Sequence, residues 1–216
     1  MELDGIGLRN QTDKASNGHD FLRLYERRLA HLRDATFVMF EIGVYQGGSV
    51  KTWSEYFPRA TIVGMDVNTD CRQYQQGNIQ IRIGDASNPQ FLFDVLKEFG
   101  RPLVVLDDGS HQWDHQIQSL QILFPNLIPS GIYIVEDLDT SFEGRLAQAD
   151  YRARSNISAF DYLTQLARRV VGDAMIGSER PYDLFIADHS NWVGSIEFAR
   201  RTSVITKKAA FGTGPG

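Results

Sequence analysis

The sequence predicts an α/β fold: a mostly parallel sheet of seven strands, helices on both faces, and an antiparallel hairpin at the C-terminal end. Three observations predict it. Five short apolar runs follow one another, and each ends at or beside an acid: Glu41, Asp66, Asp85, Asp107 and Glu136. Helix-like segments separate the runs, which is the alternation of a parallel sheet crossed by helices. Two further β-rich runs, near 194 to 199 and 202 to 207, stand close enough in the chain to form a hairpin.

Taken in order, Phe21, Leu22, Leu24, Tyr25, Leu29 and Leu32 recur at helical spacing with Arg and Glu between them. They predict an amphipathic helix over 20 to 33, within a helical lead-in at about 12 to 34. The first strand follows at about 37 to 42. The second, Thr61 to Met65, ends at Asp66, and the third, Ile79 to Ile83, ends at Gly84-Asp85. The fourth, Leu103 to Leu106, ends at Asp107-Asp108, and the fifth, Gly131 to Val135, ends at Glu136-Asp137. Helices are predicted at 50 to 57, 89 to 99 and 112 to 123, with another at about 157 to 171 before the hairpin. Residues 138 to 156 are polar and read as a loop, either a lid over a substrate or a plain surface connection. Residues 211 to 216 read as a frayed end. No repeat or linker divides the chain, so a single domain is expected over 1 to 216, with its core at about 35 to 208.

The 216 residues suffice for one well-buried α/β domain. A net charge of −5 argues against nucleic acid as a partner, because polyanion binders show a basic footprint. The pairs Arg27-Arg28, Arg168-Arg169 and Arg200-Arg201 read as solvated faces or strand ends. One cysteine, Cys71, excludes an internal disulfide framework and a cysteine zinc site. The first twenty residues lack a signal-peptide core, and no run approaches the ~20 apolar residues of a membrane span. A cytoplasmic protein without membrane partners is expected.

Residues 37 to 49 carry the chemistry. An apolar strand reaches Glu41, then Gly43, then Gly47-Gly48, and a helix follows. Glycines there let a ligand approach the backbone. In an open α/β sheet, ligands bind outside the carboxyl ends of the strands, so the strand-end acids are expected to converge on one cleft. The alternative is that each caps the next helix. Asp66 is placed to accept hydrogen bonds from the ribose hydroxyls of an adenosine ligand, as in methyl-donor and nicotinamide sites alike. Asp85 is placed to accept from an adenine amino group.

The second constellation is Asp107-Asp108-Gly109-Ser110-His111 together with Glu136-Asp137. Hard carboxylate oxygens from adjacent strand ends suit Mg²⁺ or Mn²⁺ better than zinc. Raised pKa values or partner arginines are the alternative to a cation. His111, where the chain leaves the strand, is placed to act as a general base on a substrate hydroxyl. His111 and His115 share H-x-x-x-H spacing, but Gln112 stands where a zinc protease would have its glutamate. Trp113, Tyr151 and Trp192 are candidates for an acceptor pocket, although Trp and Tyr are more often core or rim residues.

The E-x-G-x-x-x-G segment resembles motif I of the class I S-adenosylmethionine (SAM) methyltransferases, which have a Rossmann-like fold. Over roughly residues 12 to 141 the chain is similar to their Mg²⁺-dependent branch that methylates deoxysugars of antibiotics. That branch includes mycinamicin 6-deoxyallose O-methyltransferase-like and cephalosporin hydroxylase-like proteins. The resemblance lies in Thr12-Asp13-Lys14 with His19 and Tyr25, in Glu41-Ile42-Gly43-Val44 with Gly47-Gly48-Ser49, in Asp108-Gly109-Ser110-His111, and in Glu136-Asp137. It implies Asp108, Glu136 and Asp137 as metal ligands and His111 as the base. Around the cofactor it implies Thr12, Lys14, Glu41, Gly43, Tyr45, Gly47, Ser49, Asp66, Asp85 and Asp107.

Phe21 departs from the family pattern, which has a tyrosine there, and no counterpart of the long N-terminal domain of some members is expected. The function implied is SAM- and Mg²⁺-dependent methylation of a hydroxyl on a small natural product, a glycosylated antibiotic, in antibiotic biosynthesis. Homo-oligomers are compatible with it. The rival readings are an amine or carboxylate acceptor, a nicotinamide-dependent oxidoreductase, a metal-dependent hydrolase, and a non-catalytic binding module.

Overall fold

The computed structural model describes residues 2–142, 148–173 and 183–210. The strands are β1 (Val38–Ile42), β2 (Thr61–Asp66), β3 (Ile79–Ile83), β4 (Val104–Asp107), β5 (Ile132–Val135), β6 (Val193–Ala199) and β7 (Thr202–Lys207). They form one sheet in the order β3-β2-β1-β4-β5-β7-β6. The first five pair parallel, and β7 pairs antiparallel with both β5 and β6. This is the expected mostly parallel seven-stranded sheet with its C-terminal hairpin. The strand order reverses between β1 and β4, which opens a crevice at their carboxyl ends.

The central strands β1, β2, β4 and β5 read as apolar runs because both faces of the sheet are covered there. Along β1, the fully buried neighbours Met39 and Phe40 enter two different cores. Met39 joins Ile62 and Val104 under α1 (Glu2–Arg9), α2 (Leu22–Leu29) and α3 (Gly48–Tyr56), which contribute Leu3, Tyr25 and Trp53. The other face is covered by α4 (Pro89–Phe99), α5 (Trp113–Asn126), the short α6 (Gln148–Arg152), α7 (Ala159–Arg168) and α8 (Leu184–His189). There Leu92, Leu123, Leu163 and Phe185 pack with Phe40, Val63 and Tyr133.

Helix limits follow local chemistry. The Asn88 side chain accepts from Gln90 N at 3.0 Å, Pro89 opens α4, and Gly100 at φ +81° closes it. The carboxyl end of α5 is held from the hairpin: Lys207 Nζ donates to the carbonyls of Pro125 at 2.7 Å and Leu127 at 2.8 Å. Those carbonyls have no partner within the helix. Lys207→Met is therefore expected to lower stability by about 1–2 kcal/mol. A urea titration reads this directly, and an unchanged midpoint would show that water replaces the ammonium.

Four segments differ from the sequence expectation. The lead-in at 12 to 34 is helical only over α2 and a 3-10 turn, Ala30–Leu32, while turns fill residues 11 to 19. Helix α1 was not foreseen: it buries only Leu3, Ile6 and Gly7, too few positions to show a period. The predicted loop at 138 to 156 contains a 3-10 turn, Leu138–Ser141, and α6; its residues 143–147 lie outside the described residues. The helix predicted at 157 to 171 is α7, prolonged by a π-turn, Arg169–Asp173, and α8 is additional. The tail at 211 to 216 also lies outside the described residues. No helix among the described residues is long and apolar enough to cross a membrane.

Candidate active site at the carboxyl edge of the sheet

A cavity of about 720 Å³ opens at the carboxyl ends of β1, β2 and β4. Its first wall is the turn after β1. Gly43 has φ +92°, and a Cβ there would overlap the carbonyl oxygen of Asp108, because β1 and β4 continue side by side past their last rungs. Gly47 has φ +73° and turns the chain into α3; a Cβ would stand 2.6 Å from the Tyr74 ring. Tyr45, between them, also has positive φ (+50°) and is 79% exposed.

Asp66, at the end of β2, faces this turn. Its Oδ2 accepts from Val44 N at 2.8 Å and Tyr45 N at 3.0 Å, and Oδ1 accepts from Asn68 N at 2.8 Å. Burial raises its pKa, but the three amide donors together outweigh burial and hold the carboxyl below its usual range. It is a fixed negative charge in the cavity wall. Asp85, after β3, is exposed in the same cavity; Ser87 holds its pKa down, and the Ser87 amide donates to it at 2.8 Å.

Two of the predicted cofactor residues take other places. Thr12, Lys14, Gly43, Tyr45, Ser49, Asp66, Asp85 and Asp107 line the cavity, whereas Glu41 and Gly47 do not. Glu41 is turned into the protein, where its Oε1 accepts from Ser49 Oγ at 2.6 Å and Trp53 Nε1 at 3.3 Å. It thus ties β1 to the start of α3. Burial pushes its pKa up to about 7 against the opposing charge of Lys14. Asp107 is likewise pushed up by burial, to about 6, and Tyr133 donates to it at 3.3 Å. Trp113, Tyr151 and Trp192 are not among the lining residues. Trp113 is buried and donates to Thr140 O at 3.2 Å.

The second wall holds the acid cluster. Asp108, His111 and Asp137 each bring a ligand atom to within 4.8 Å of the others. His111 Nε2 lies 3.4 Å from Asp137 Oδ2. Both residues sit in the left-handed region, at φ +56° and +54°, a conformation that non-glycine residues adopt at a cost where side chains must be aimed. Arg201, in the turn between β6 and β7, pairs with Asp137 and, at 3.0 Å, with Asp139.

Glu136 is not in this cluster, although the sequence grouped it with Asp108 and Asp137. Its side chain lies beneath the cavity wall, where Oε2 accepts from Lys14 Nζ at 2.7 Å and Oε1 from Tyr25 OH at 2.8 Å. The same Lys14 ammonium contacts Asp108. Lys14 is 1% exposed; burial opposes its charge, and the carboxylates of Glu136, Asp108 and Glu41 outweigh burial and keep it protonated. His115 also stays out of the cluster and pairs through Nδ1 with Ser110 Oγ at 2.8 Å, so the H-x-x-x-H spacing assembles no zinc pair.

The two carboxylates at this spacing suit a hard divalent cation such as Mg²⁺ or Mn²⁺, with water or an acceptor oxygen completing the shell. Six aspartates line the cavity, against Lys14 as the one lysine or arginine among the described lining residues, while Arg201, which does not line it, pairs with Asp137.

Sequence reasoning missed Tyr25 and Arg201 as parts of the site. Tyr25 fell on the apolar face of a helix, and Arg201 in a turn 64 residues from its partner Asp137. The only signals were the tyrosine in the lead-in motif and the Arg200-Arg201 pair.

No protein-family model matches the chain. Among curated proteins it is similar to 8-demethyl-8-alpha-L-rhamnosyl tetracenomycin-C 2'-O-methyltransferase of Streptomyces olivaceus. The two are 36% identical over 147 residues, which is 65% of this chain and 38% of that one. It is also similar to L-olivosyl-oleandolide 3-O-methyltransferase of Streptomyces antibioticus, at 31% identity over 195 residues, 87% of this chain and 49% of that one. The chain thus spans less than half the length of these curated relatives. Among solved structures, the MycE methyltransferase of the mycinamycin biosynthetic pathway, in complex with Mg and SAH, superposes with a TM-score of 0.83. That match covers 97% of this chain and 55% of that one, at 24% identity. The chain therefore has the class I methyltransferase fold and resembles, in sequence, the sugar O-methyltransferases of antibiotic pathways.

Proposed function

We propose that the chain is a cytoplasmic SAM-dependent O-methyltransferase that, with Mg²⁺ or Mn²⁺, methylates a sugar hydroxyl of a glycosylated natural product. One observation carries the reading: a single cavity joins the glycine turn, Asp66 and Asp85 to the cluster of Asp108, His111 and Asp137. A nucleotide-like donor and a cation-held acceptor would meet there.

In this reading Asp66, fixed by three amides, accepts from the ribose hydroxyls, and Asp85 accepts from the adenine amino group. Gly43 and Gly47 shape the turn against which the donor lies. Asp108 and Asp137 would hold the cation, which when bound would make a neighbouring hydroxyl more acidic. His111 takes the acceptor's proton as the oxygen attacks the methyl carbon. The O–CH₃ bond forms, the S–CH₃ bond breaks, and the donor leaves as a neutral thioether. The protein's share is orientation: a near-attack geometry supplies roughly 7–11 kcal/mol of barrier reduction in well-oriented systems.

The test is calorimetric titration of SAH, with NADH as the competing ligand, followed by methyl transfer to a panel of rhamnosyl and olivosyl glycosides. Binding of NADH and not SAH would sink the reading. His111→Ala is expected to lower turnover about 10²–10⁴-fold, the range for loss of a general base, with donor affinity unchanged. Loss of Mn²⁺ binding in the same variant would make His111 a ligand instead.

A further inference from the structure

The resemblance implies Glu136 as a metal ligand, whereas in the structure Lys14 donates to one of its oxygens and Tyr25 to the other. Lys14 bridges Asp108 and Glu136, two carboxylates 94 and 122 residues away in the chain, from a fully buried position. An ammonium with three donors on a flexible stem is the side chain best able to occupy the space between two acids as a single point charge. Asp108 is therefore claimed twice, by Lys14 on one side and by the cluster with His111 and Asp137 on the other.

The surroundings suggest what could draw Lys14 away. The segment carrying it lies directly on the glycine turn: a Cβ on Gly48 would stand 2.9 Å from Asn10 O and 3.1 Å from Thr12 N. Lys14 itself lines the cavity beside Thr12 and Ser49. SAM ends in an amino acid, and its carboxylate would meet no other lysine or arginine among the described lining residues. Glu136 would keep its orientation without the lysine, because Tyr25 OH still donates to it and is itself 3.1 Å from Thr202 Oγ1.

We propose that Lys14 is a tethered counter-cation that competes with the divalent cation for Asp108 and is drawn off by the donor's carboxylate, so that donor and cation bind cooperatively. The proposal rests on the methyltransferase reading and adds to it an order in the site. Without donor, the ammonium weakens cation binding by repulsion at Asp108.

The experiment is Mn²⁺ binding, followed by electron paramagnetic resonance, with and without saturating SAH, on the wild type, Lys14→Met and Lys14→Gln. In the wild type, SAH is expected to tighten Mn²⁺ binding about tenfold, and Mn²⁺ to tighten SAH binding by the same factor, as linkage requires. In the Lys14 variants, Mn²⁺ alone is expected to bind at least as tightly as it does to the SAH-bound wild type, with the effect of SAH nearly gone. Independent binding of the two ligands to the wild type would overturn the proposal and leave the methyltransferase reading intact, and needs no variant to fold. Weaker Mn²⁺ binding in folded Lys14 variants would also overturn it, making Lys14 a brace for Asp108. Failure of the wild type to bind either ligand would overturn both.

Discussion

Asp108→Asn is expected to reduce methyl transfer about a thousandfold, or ~4 kcal/mol in the barrier, while the protein stays folded. The substitution keeps the shape of the side chain and removes its charge. Asp108 is the member of the cluster shared by both walls of the site. Its carboxylate contacts Lys14, it lies in the group with His111 and Asp137, and its backbone amide donates to Ile42 O at 2.9 Å. The backbone bond survives the substitution, and Lys14 retains Glu136 as its partner at 2.7 Å. The thermal midpoint should therefore move by only a few degrees, whereas Mn²⁺ affinity should fall by more than about tenfold when one charged oxygen ligand is lost. Turnover within a few-fold of the wild type at saturating SAM and Mg²⁺ would remove Asp108 from the mechanism.

Gly43→Ala is expected to be the most damaging alanine substitution among the described glycines. Two effects add. At φ +92° an L-residue is strained, and the new Cβ would overlap the carbonyl oxygen of Asp108, which is backbone and has no rotamer to escape into. Relief requires β1 and β4 to separate at their carboxyl ends, where the site is built. A loss of at least about 3 kcal/mol is expected, together with loss of SAH binding. Gly77→Ala is the control: Gly77 has φ +53° but nothing within 4 Å of the position of its Cβ. It should lose only about 1 kcal/mol, the cost of the left-handed backbone alone. Equal effects of the two substitutions in a denaturant titration would show that close approach at Gly43 has no special weight.

The contrast between these residues shows where the sequence is informative. Gly43 and Asp108 were both legible, because parallel strands buried on two faces leave apolar runs, and what ends each run stands at the ligand edge. Asp66 was legible for the same reason. Glu41 and Glu136 were read as site residues on the same logic, yet both carboxylates point inward, to Ser49 and Trp53 in one case and to Lys14 and Tyr25 in the other. A strand end fixes where the backbone is. Which way the side chain turns depends on whether a partner waits in the core.

By itself the sequence determined the order of the strands, the parallel sheet with its hairpin, and the edge at which the acids gather. Period, apolar run length and glycine spacing are local properties of the chain. Only the tertiary structure decided how the charges pair. Lys14 reaches Asp108 and Glu136 across 94 and 122 residues, and Arg201 reaches Asp137 across 64. No local pattern encodes such pairs. They are set by the desolvation of acids packed at one end of a sheet, each of which requires a cation or a donor from whatever segment the fold brings near.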